Sequence, residues 1–438
     1  MKDKELKTMR KSFQTLFYRR KQLLNDPEIK KLREKVINIR KNSIENKEEL
    51  LEIASQNLKS NDIDMYFAKD DKEANDIILK IIEEENFKVQ DNSISKGNSI
   101  SRSNSISKGN SISEDDSINK SYPIITVAKS KSNTLGEIAI SKFLSSHNIE
   151  VIETDLGDRI LQLKKTDNKP THPTGPASHL NVNEIANIIN ETLKTNIEAN
   201  PKAIMETVKD DVLKKLANCE IGITGANAIT SQEGSILLIH NEGNISLLSL
   251  MKTHIIVAGI DKFIPSLEDA VSLAKLESVY ATGKLTTSYM NIISGPSKTA
   301  DIEKKLLKNM YGARKIVLIV LDNGRSRAIS QCLMCIGCGS CIITCPVYDA
   351  VGNEFGFSPY LGGRGIAMAS FIEDEEASFK SGLFHCTLCG LCTINCPVAM
   401  PTNELIEKIR ANSQKQGFYP KSHGSINENI QKKGSPYE

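Results

Sequence analysis

Apolar residues recur at helical spacing through the first sixty positions, with Ile29, Leu32, Val36 and Ile39 on one face and lysines and arginines on the other. Asp26-Pro27-Glu28 offers an N-cap, a proline at the first helical position and an early acid. Segment 1–60 therefore reads as helix with a docking or packing role and no chemistry of its own. At Met65-Tyr66-Phe67-Ala68 the pattern changes to short apolar runs alternating with helical stretches, the first of them over residues 73–85. Further strands are predicted at 124–128, 150–153, 235–240, 254–258 and 315–321, and Thr134-Leu135-Gly136-Glu137 has the spacing of a capping box. Apolar strands bounded by helices predict an α/β domain with a largely parallel sheet over 61–330. Residues 331–402 form a second, cysteine-bearing domain, and 403–438 a tail.

One stretch breaks the alternation. Residues 92–121 are built on Asn-Ser-Ile-Ser units at Asn92, Asn98, Asn104 and Asn110, a period of six. A hexapeptide solenoid has such a period, but one Ile per unit is too little apolar surface to offset the entropy of ordering. A disordered, low-complexity insertion is expected there.

Composition then excludes several classes. A net charge of +2 over 438 residues gives no general attraction to nucleic acid or anionic membrane. With no Trp and 5% aromatics, base-stacking platforms are not expected. No apolar run reaches the roughly 20 residues of a membrane span. The basic N-terminus lacks an apolar signal core, and Arg19-Arg20 runs on into Lys21 and a charged helix. A cytoplasmic location is expected, where cysteines serve as ligands or nucleophiles more often than as disulfides.

Nine of the ten cysteines fall between 332 and 396. Cys335, Cys338, Cys341 and Cys345 precede Pro346, and Cys386, Cys389, Cys392 and Cys396 precede Pro397, each set spaced Cys-x2-Cys-x2-Cys-x3-Cys-Pro. That is the bacterial ferredoxin run, in which three close thiolates wrap one cubane and the fourth serves the other. The spacing assigns one [4Fe–4S] cluster to Cys335, Cys338, Cys341 and Cys396, and a second to Cys386, Cys389, Cys392 and Cys345. A structural zinc site prefers two separated Cys-x2-Cys pairs and fits this pattern poorly. Cys332 is spare in this register, Cys219 reads as an ordinary buried thiol, and His385 as a neighbour of the ligands and not one of them. Gly356, Gly362, Gly363 and Gly365 suggest an ordered cover between the motifs.

Upstream, Lys129-Ser130-Lys131-Ser132 lies between a strand and a helix, Thr224-Gly225-Ala226-Asn227 and Glu233-Gly234-Ser235 bracket a turn, Gly295 to Glu303 reads as a turn leading into a helix, and Asp322-Asn323-Gly324-Arg325-Ser326-Arg327 closes the last strand. With Glu153-Thr154-Asp155-Leu156-Gly157-Asp158, Pro170-Thr171-His172 and Asn241-Glu242-Gly243-Asn244, and ahead of two ferredoxin runs, they resemble the lactate-utilisation protein B family of LUD-domain iron–sulfur proteins. The resemblance implies a fold similar to the ribose-phosphate isomerase and CoA-transferase group. It implies work beside companion subunits in oxidising L-lactate to pyruvate, including a separate redox protein with Cys-Cys-Gly domains. The tail, from Glu404 through Lys421-Ser422-His423 to Gly434-Ser435-Pro436, resembles the small iron–sulfur subunit of heterodisulfide reductase, which hands electrons to the same class of partner.

Three functions follow as expectations. The first is an electron-transfer subunit of an L-lactate, or 2-hydroxyacid, dehydrogenase complex, with Arg325 or Arg327, or Lys129 or Lys131, holding the substrate carboxylate. The second is an adapter of a heterodisulfide-reductase-like or other anaerobic redox complex. The third is an acyl- or CoA-handling enzyme with Glu233 as nucleophile. No Gly-x-Gly-x-x-Gly lies between a strand and a helix, so no flavin or nicotinamide is expected in this chain.

Overall fold

The computed structural model describes residues 1–97, 125–164 and 169–437, with side chains from 87 to 97 set aside. The expected disordered insertion lies outside the described residues from 98 onward. Its first six positions continue a helix that spans Asp71–Gly97, well beyond the predicted 73–85.

The chain opens with three helices, α1 (Asp3–Leu24), α2 (Pro27–Glu45) and α3 (Lys47–Ser60). Asp26 caps α2 by accepting from the Glu28 N–H at 2.8 Å, with Pro27 in the first turn. These helices do not stand apart. Helix α1 packs on the helices Leu267–Thr282 and Pro346–Val351, and α2 on Leu267–Thr282 and the 3-10 turn Ser330–Met334. Met9, Phe13 and Val36 share one apolar core with Ala274 and Val279 of the α/β domain and with Ile342, Ile366 and Ile406 beyond it.

Six strands form the main sheet: β1 (Asp64–Ala68), β2 (Ile125–Lys129), β3 (Ile149–Glu153), β4 (Ile221–Thr224), β7 (Thr253–Gly259) and β12 (Lys315–Leu321). Their order is β1-β12-β7-β4-β2-β3, and every neighbouring pair is parallel. Both faces are covered, which is why β7 from Ile255 and β12 from Ile316 read as apolar runs and not as alternating ones. A four-stranded side sheet, β8-β5-β6-β9, is made from β5 (Ala228–Thr230), β6 (Ser235–His240), β8 (Phe263–Ile264) and β9 (Tyr289–Ile293). The Gly295 to Glu303 run leads into a small hairpin, β10 (Lys298–Thr299) with β11 (Leu307–Lys308), and not into a helix. After β12 the chain is mostly short helices, with one hairpin of β13 (Gly356–Phe357) and β14 (Tyr360–Leu361).

Parallel pairing puts the C-terminal ends of all six strands on one edge, and the cysteine-bearing segment leaves β12 at that edge. The junction is tight. Gly324 has φ +82°, and a Cβ there would stand 1.9 Å from the Phe371 carbonyl oxygen. Beside it, Arg325 is buried and pairs with Glu137 at 2.7 Å and with Asp261 at 2.8 Å. The Tyr360 hydroxyl donates to the same Glu137 at 2.5 Å. Glu137 is thus no capping-box acid: Ser132 caps its helix by accepting from the Leu135 N–H, and the Glu137 carboxylate is committed to Arg325. Burial alone would push the Asp261 carboxyl up, but Lys262, Arg325 and Arg40 hold it at about 2.

Gly324→Ala is therefore expected to destabilise the chain well beyond the roughly 1–2 kcal/mol of a left-handed alanine. Gly417→Ala, with φ +86° and open space around it, is expected to cost only that amount. Thermal unfolding of the two variants checks the difference, and equal losses would contradict the packing described.

Candidate functional site

The eight cysteines of the two runs line two adjoining cavities. One is bounded by Cys335, Cys338, Cys341 and Cys396, with Arg364, Pro397 and Met400 in its wall. The other is bounded by Cys345, Cys386, Cys389 and Cys392, with Phe355 and Leu388. Cys341 and Cys392 reach the lining of both, so the cavities share a wall. The fourth cysteine of each run has crossed to the cavity of the other run. Local backbone explains how. Cys345 and Cys396 sit just before prolines that begin a new turn, and their sulfurs accept N–H bonds from Tyr348 (3.5 Å) and Met400 (3.4 Å). Gly337, Gly339 and Gly390 take φ between 73° and 82°, which winds the loops tightly around the cavities.

The donor set suits a thiolate-held cluster. Neither cavity has a carboxylate in its lining, and among the described residues no three His, Cys, Asp or Glu side chains close on the position of a single ion. Burial, with the Cys335 and Cys396 thiols adding to it, pushes the Cys338 thiol well above its ordinary value. Ionisation of such a thiol needs the positive charge of bound metal. Cys332 lies outside both linings and is pushed up to about 12 by burial, and Cys219 is half-buried, its thiol donating to the Lys215 carbonyl. His385 is exposed and lines neither cavity.

A third space, a cleft of about 450 Å³, opens on the C-terminal edge of the main sheet. Ser130 to Thr134 follow β2, Asp155 follows β3, Gly225 to Asn227 follow β4, and Lys262 follows β7. That edge is where open α/β sheets bind ligands. Phe13 and Leu16 of α1 close one side, and Ile336 and Gly337, the residues between Cys335 and Cys338, close another. The same two residues line the first cysteine cavity, so cleft and cavity are separated by one turn of chain.

Within the cleft, Glu277 is 8% exposed, and the Asn227 amide donates to both its oxygens at 3.2 and 3.1 Å. Burial drives its carboxyl up to about 7 against the opposing pull of Lys262 and Asn227. Among the described residues Lys262 makes one ion-pair contact, to Asp261 at 3.9 Å, which leaves its ammonium available to a ligand. Neighbouring charges are less free. Lys131 is paired with Asp155 at 2.7 Å, and Lys129 is buried against Glu153 at 2.8 Å. His172 is held at about 3 by burial, with Lys131 and Arg20 adding to it, and its Nε2 faces Gly339 without a partner.

The carboxylate holders expected from sequence are thus mostly spoken for. Arg325 is committed to Glu137 and Asp261, and Arg327 donates to the Phe371 and Glu373 carbonyls. Glu233, the supposed nucleophile, is exposed, accepts from the Leu267 N–H and is no part of the cleft lining. Glu277 and Lys262 were missed. The available signal was a glutamate in the second half of the helix Leu267–Thr282, next to Leu276 and Val279, where a carboxylate needs a reason.

A LUD domain family model matches residues 51–321, and a 4Fe-4S dicluster domain model matches 331–400. Lactate utilization protein B of Geobacillus thermodenitrificans is 30% identical over 377 residues, covering 85% of this chain and 69% of that protein. The protein of that name from Bacillus velezensis is 33% identical over 326 residues (71% and 66%), and the one from Bacillus subtilis 33% over 300 (67% and 60%). The chain thus spans about two thirds of the length of these curated relatives. A solved structure of a DUF162 family protein from Deinococcus radiodurans overlaps 45% of this chain at 16% identity and a TM-score of 0.20, too loosely to relate the folds.

Glu277 also predicts a pH signature. Its folded value lies above that of the unfolded chain, so stability from this group falls as pH rises through about 7. Glu277→Gln removes that loss. Its Tm relative to the unsubstituted protein is expected to be more favourable at pH 8 than at pH 5; an equal difference at both would show that the carboxylate is not buried as described.

Proposed function

This chain belongs to the lactate utilization protein B family, and from that premise we propose that it is the iron–sulfur electron-transfer subunit of a complex oxidising L-lactate to pyruvate. The observation that carries the reading is the shared turn at Ile336-Gly337: a polar cleft suited to a small anion lies against a cavity walled by cysteines. In this reading Cys335, Cys338, Cys341 and Cys396 hold one [4Fe–4S] cluster, and Cys386, Cys389, Cys392 and Cys345 the other. Bound there, the clusters would supply one-electron acceptance and release.

The remaining work falls to the chain's own side chains. Lys262 takes the substrate carboxylate, in place of the arginines expected from sequence. Asn227 orients the Glu277 carboxylate, which at neutral pH is poised to hold a proton from the substrate hydroxyl. Phe13, Leu16 and the Ile336-Gly337 turn restrict water. A 2-hydroxyacid gives up two electrons and two protons on becoming a 2-oxoacid: Glu277 takes the hydroxyl proton, and the C2 hydrogen leaves with its electron pair as a hydride to an acceptor held by a partner, from which the electrons pass on singly. A separate Cys-Cys-Gly redox protein in the cytoplasm fits as that partner, and exposed Cys389 marks the side of the second cavity open to it. The parallel sheet with its mixed side sheet is compatible with the ribose-phosphate isomerase and CoA-transferase group. The chain then divides into a helical segment (1–60), a LUD-like domain (61–330), a dicluster domain (331–402) and a tail (403–438).

Low-temperature EPR on the anaerobically purified protein with its natural companions tests the reading. Reduced-cluster signals are expected after L-lactate as well as after dithionite; signals with dithionite alone would move the donor elsewhere. Glu277→Gln and Lys262→Gln are expected to abolish the lactate signal by at least tenfold and to leave the dithionite signal intact. Cys345→Ala is expected to disturb the cluster on the second run more than the first. Loss confined to the first would refute the crossed ligation.

A further inference from the structure

Positive charge is gathered around the first cysteine cavity without an equal gathering of carboxylates. Arg20 of α1 and Arg40 of α2 are each 1% exposed. Arg40 donates to three backbone carbonyls, those of Leu333 at 2.5 Å, Met334 at 3.2 Å and Asp261 at 2.8 Å. Arg20 donates to the Ser340 hydroxyl at 2.7 Å and to the Tyr280 carbonyl at 3.3 Å, while its Nε and Nη2 are buried with no partner. Arg364 lies over the Tyr360 ring at 4.5 Å, in the wall of the cavity itself, and its enclosed Nε is also unpartnered. Arg33 adds a bond to the Cys396 carbonyl at 2.9 Å.

Among the described residues no carboxylate forms an ion pair with Arg20, Arg40 or Arg364. Asp261 lies near Arg40 and Arg364, but its carboxylate is bonded to Arg325, and Lys262 stands beside it. Enclosing guanidinium groups with free donors is costly unless negative charge answers them. A cubane held by four thiolates carries such charge, and more of it when reduced. The second cavity differs: no charged side chain lines it, and the nearby Arg410, which donates to the Leu383 and Cys386 carbonyls, is only half-buried and so is screened by water.

We propose that Arg20, Arg40 and Arg364 form a built counter-charge that makes the first cluster the more readily reduced of the two, with Arg364 its principal positioning residue. This rests on the two-cluster reading above. Burial by itself disfavours an extra electron on a buried anion, and the guanidinium groups reverse that at the first site. The cluster nearest the cleft is thereby the one that can accept from a weakly reducing hydroxyacid. The N-terminal helices, which bring Arg20 and Arg40, are part of the redox site as well as packing.

The test is a potentiometric titration of the anaerobic full-length protein, followed by EPR, with iron and sulfide counted in each sample. Arg364→Gln is expected to lower the reduced-to-oxidised ratio of one cluster at least tenfold at a fixed potential, about 59 mV for a one-electron couple. The other cluster should not move, and Arg364→Lys should hold both near the unsubstituted protein. The shifted signal is expected to survive in Cys389→Ala, which weakens the second site. Full iron content with neither cluster shifted in Arg364→Gln overturns the proposal. So does loss of the same cluster in both the Gln and Lys variants, since shape and not charge would then be at work. An unsubstituted protein that takes up no clusters overturns the cofactor reading itself, and this inference with it.

Discussion

Buried positive charge has to be answered, and the way this chain answers it organises the rest of the structure. Arg325 sits at the end of the last sheet strand and is met by Glu137 and Asp261, and the Tyr360 hydroxyl closes on Glu137 from the cysteine-bearing segment. Those four side chains come from four separate stretches of sequence. Removing Glu137 or Asp261 would leave the buried Arg325 short of a counter-charge, and removing Arg325 would leave both carboxylates buried without it, a far larger penalty than the loss of a surface pair. The network therefore fixes the angle at which the cysteine-bearing segment leaves the sheet. Gly324, pressed against the Phe371 carbonyl, allows no slack at the same point.

That fixed angle determines what the cleft can be. All six strands of the main sheet end on one edge, so their loops converge there by topology alone. With the cysteine loops docked across the edge, the turn Ile336-Gly337 becomes a wall of the cleft and a wall of the first cavity together. Cleft and cysteine cavity are then adjacent, with one turn of chain between them. Helix α1 completes the arrangement, because Phe13 bounds the cleft while Arg20, two turns on, reaches Ser340 beside the cysteines.

The two cavities are chemically similar and electrostatically different. Both offer thiols, N–H donors to sulfur and glycine turns, as a repeated motif would dictate. The surroundings are not repeated. One site is enclosed by arginines drawn from three distant segments, and the other opens at Cys389. The first cavity is thus the buried one of the pair and the second the one open to solvent.

The cysteine spacing and the strand alternation were legible in the sequence because they are local. A repeat of two or three residues between thiols has little freedom, and β12 reads as a strand because the six residues after Lys315 are all apolar. The family resemblance was legible too, being a matter of motif order. What could not be read were pairings across the chain. Thr134 to Glu137 has the spacing of a capping box, yet Glu137 has a stronger partner in Arg325, 188 positions away. Arg20 and Arg40 look like members of a solvated basic face, and only the packing of α1 and α2 on Leu267–Thr282 buries them. Glu277 has no motif at all; its carboxyl is unusual only because Asn227, Lys262 and the surrounding core meet there. The sequence by itself determined the cysteine spacing, five of the six main-sheet strands and the family. Tertiary structure decided which charges are desolvated and beside what, since burial is a property of the assembled chain and not of any segment.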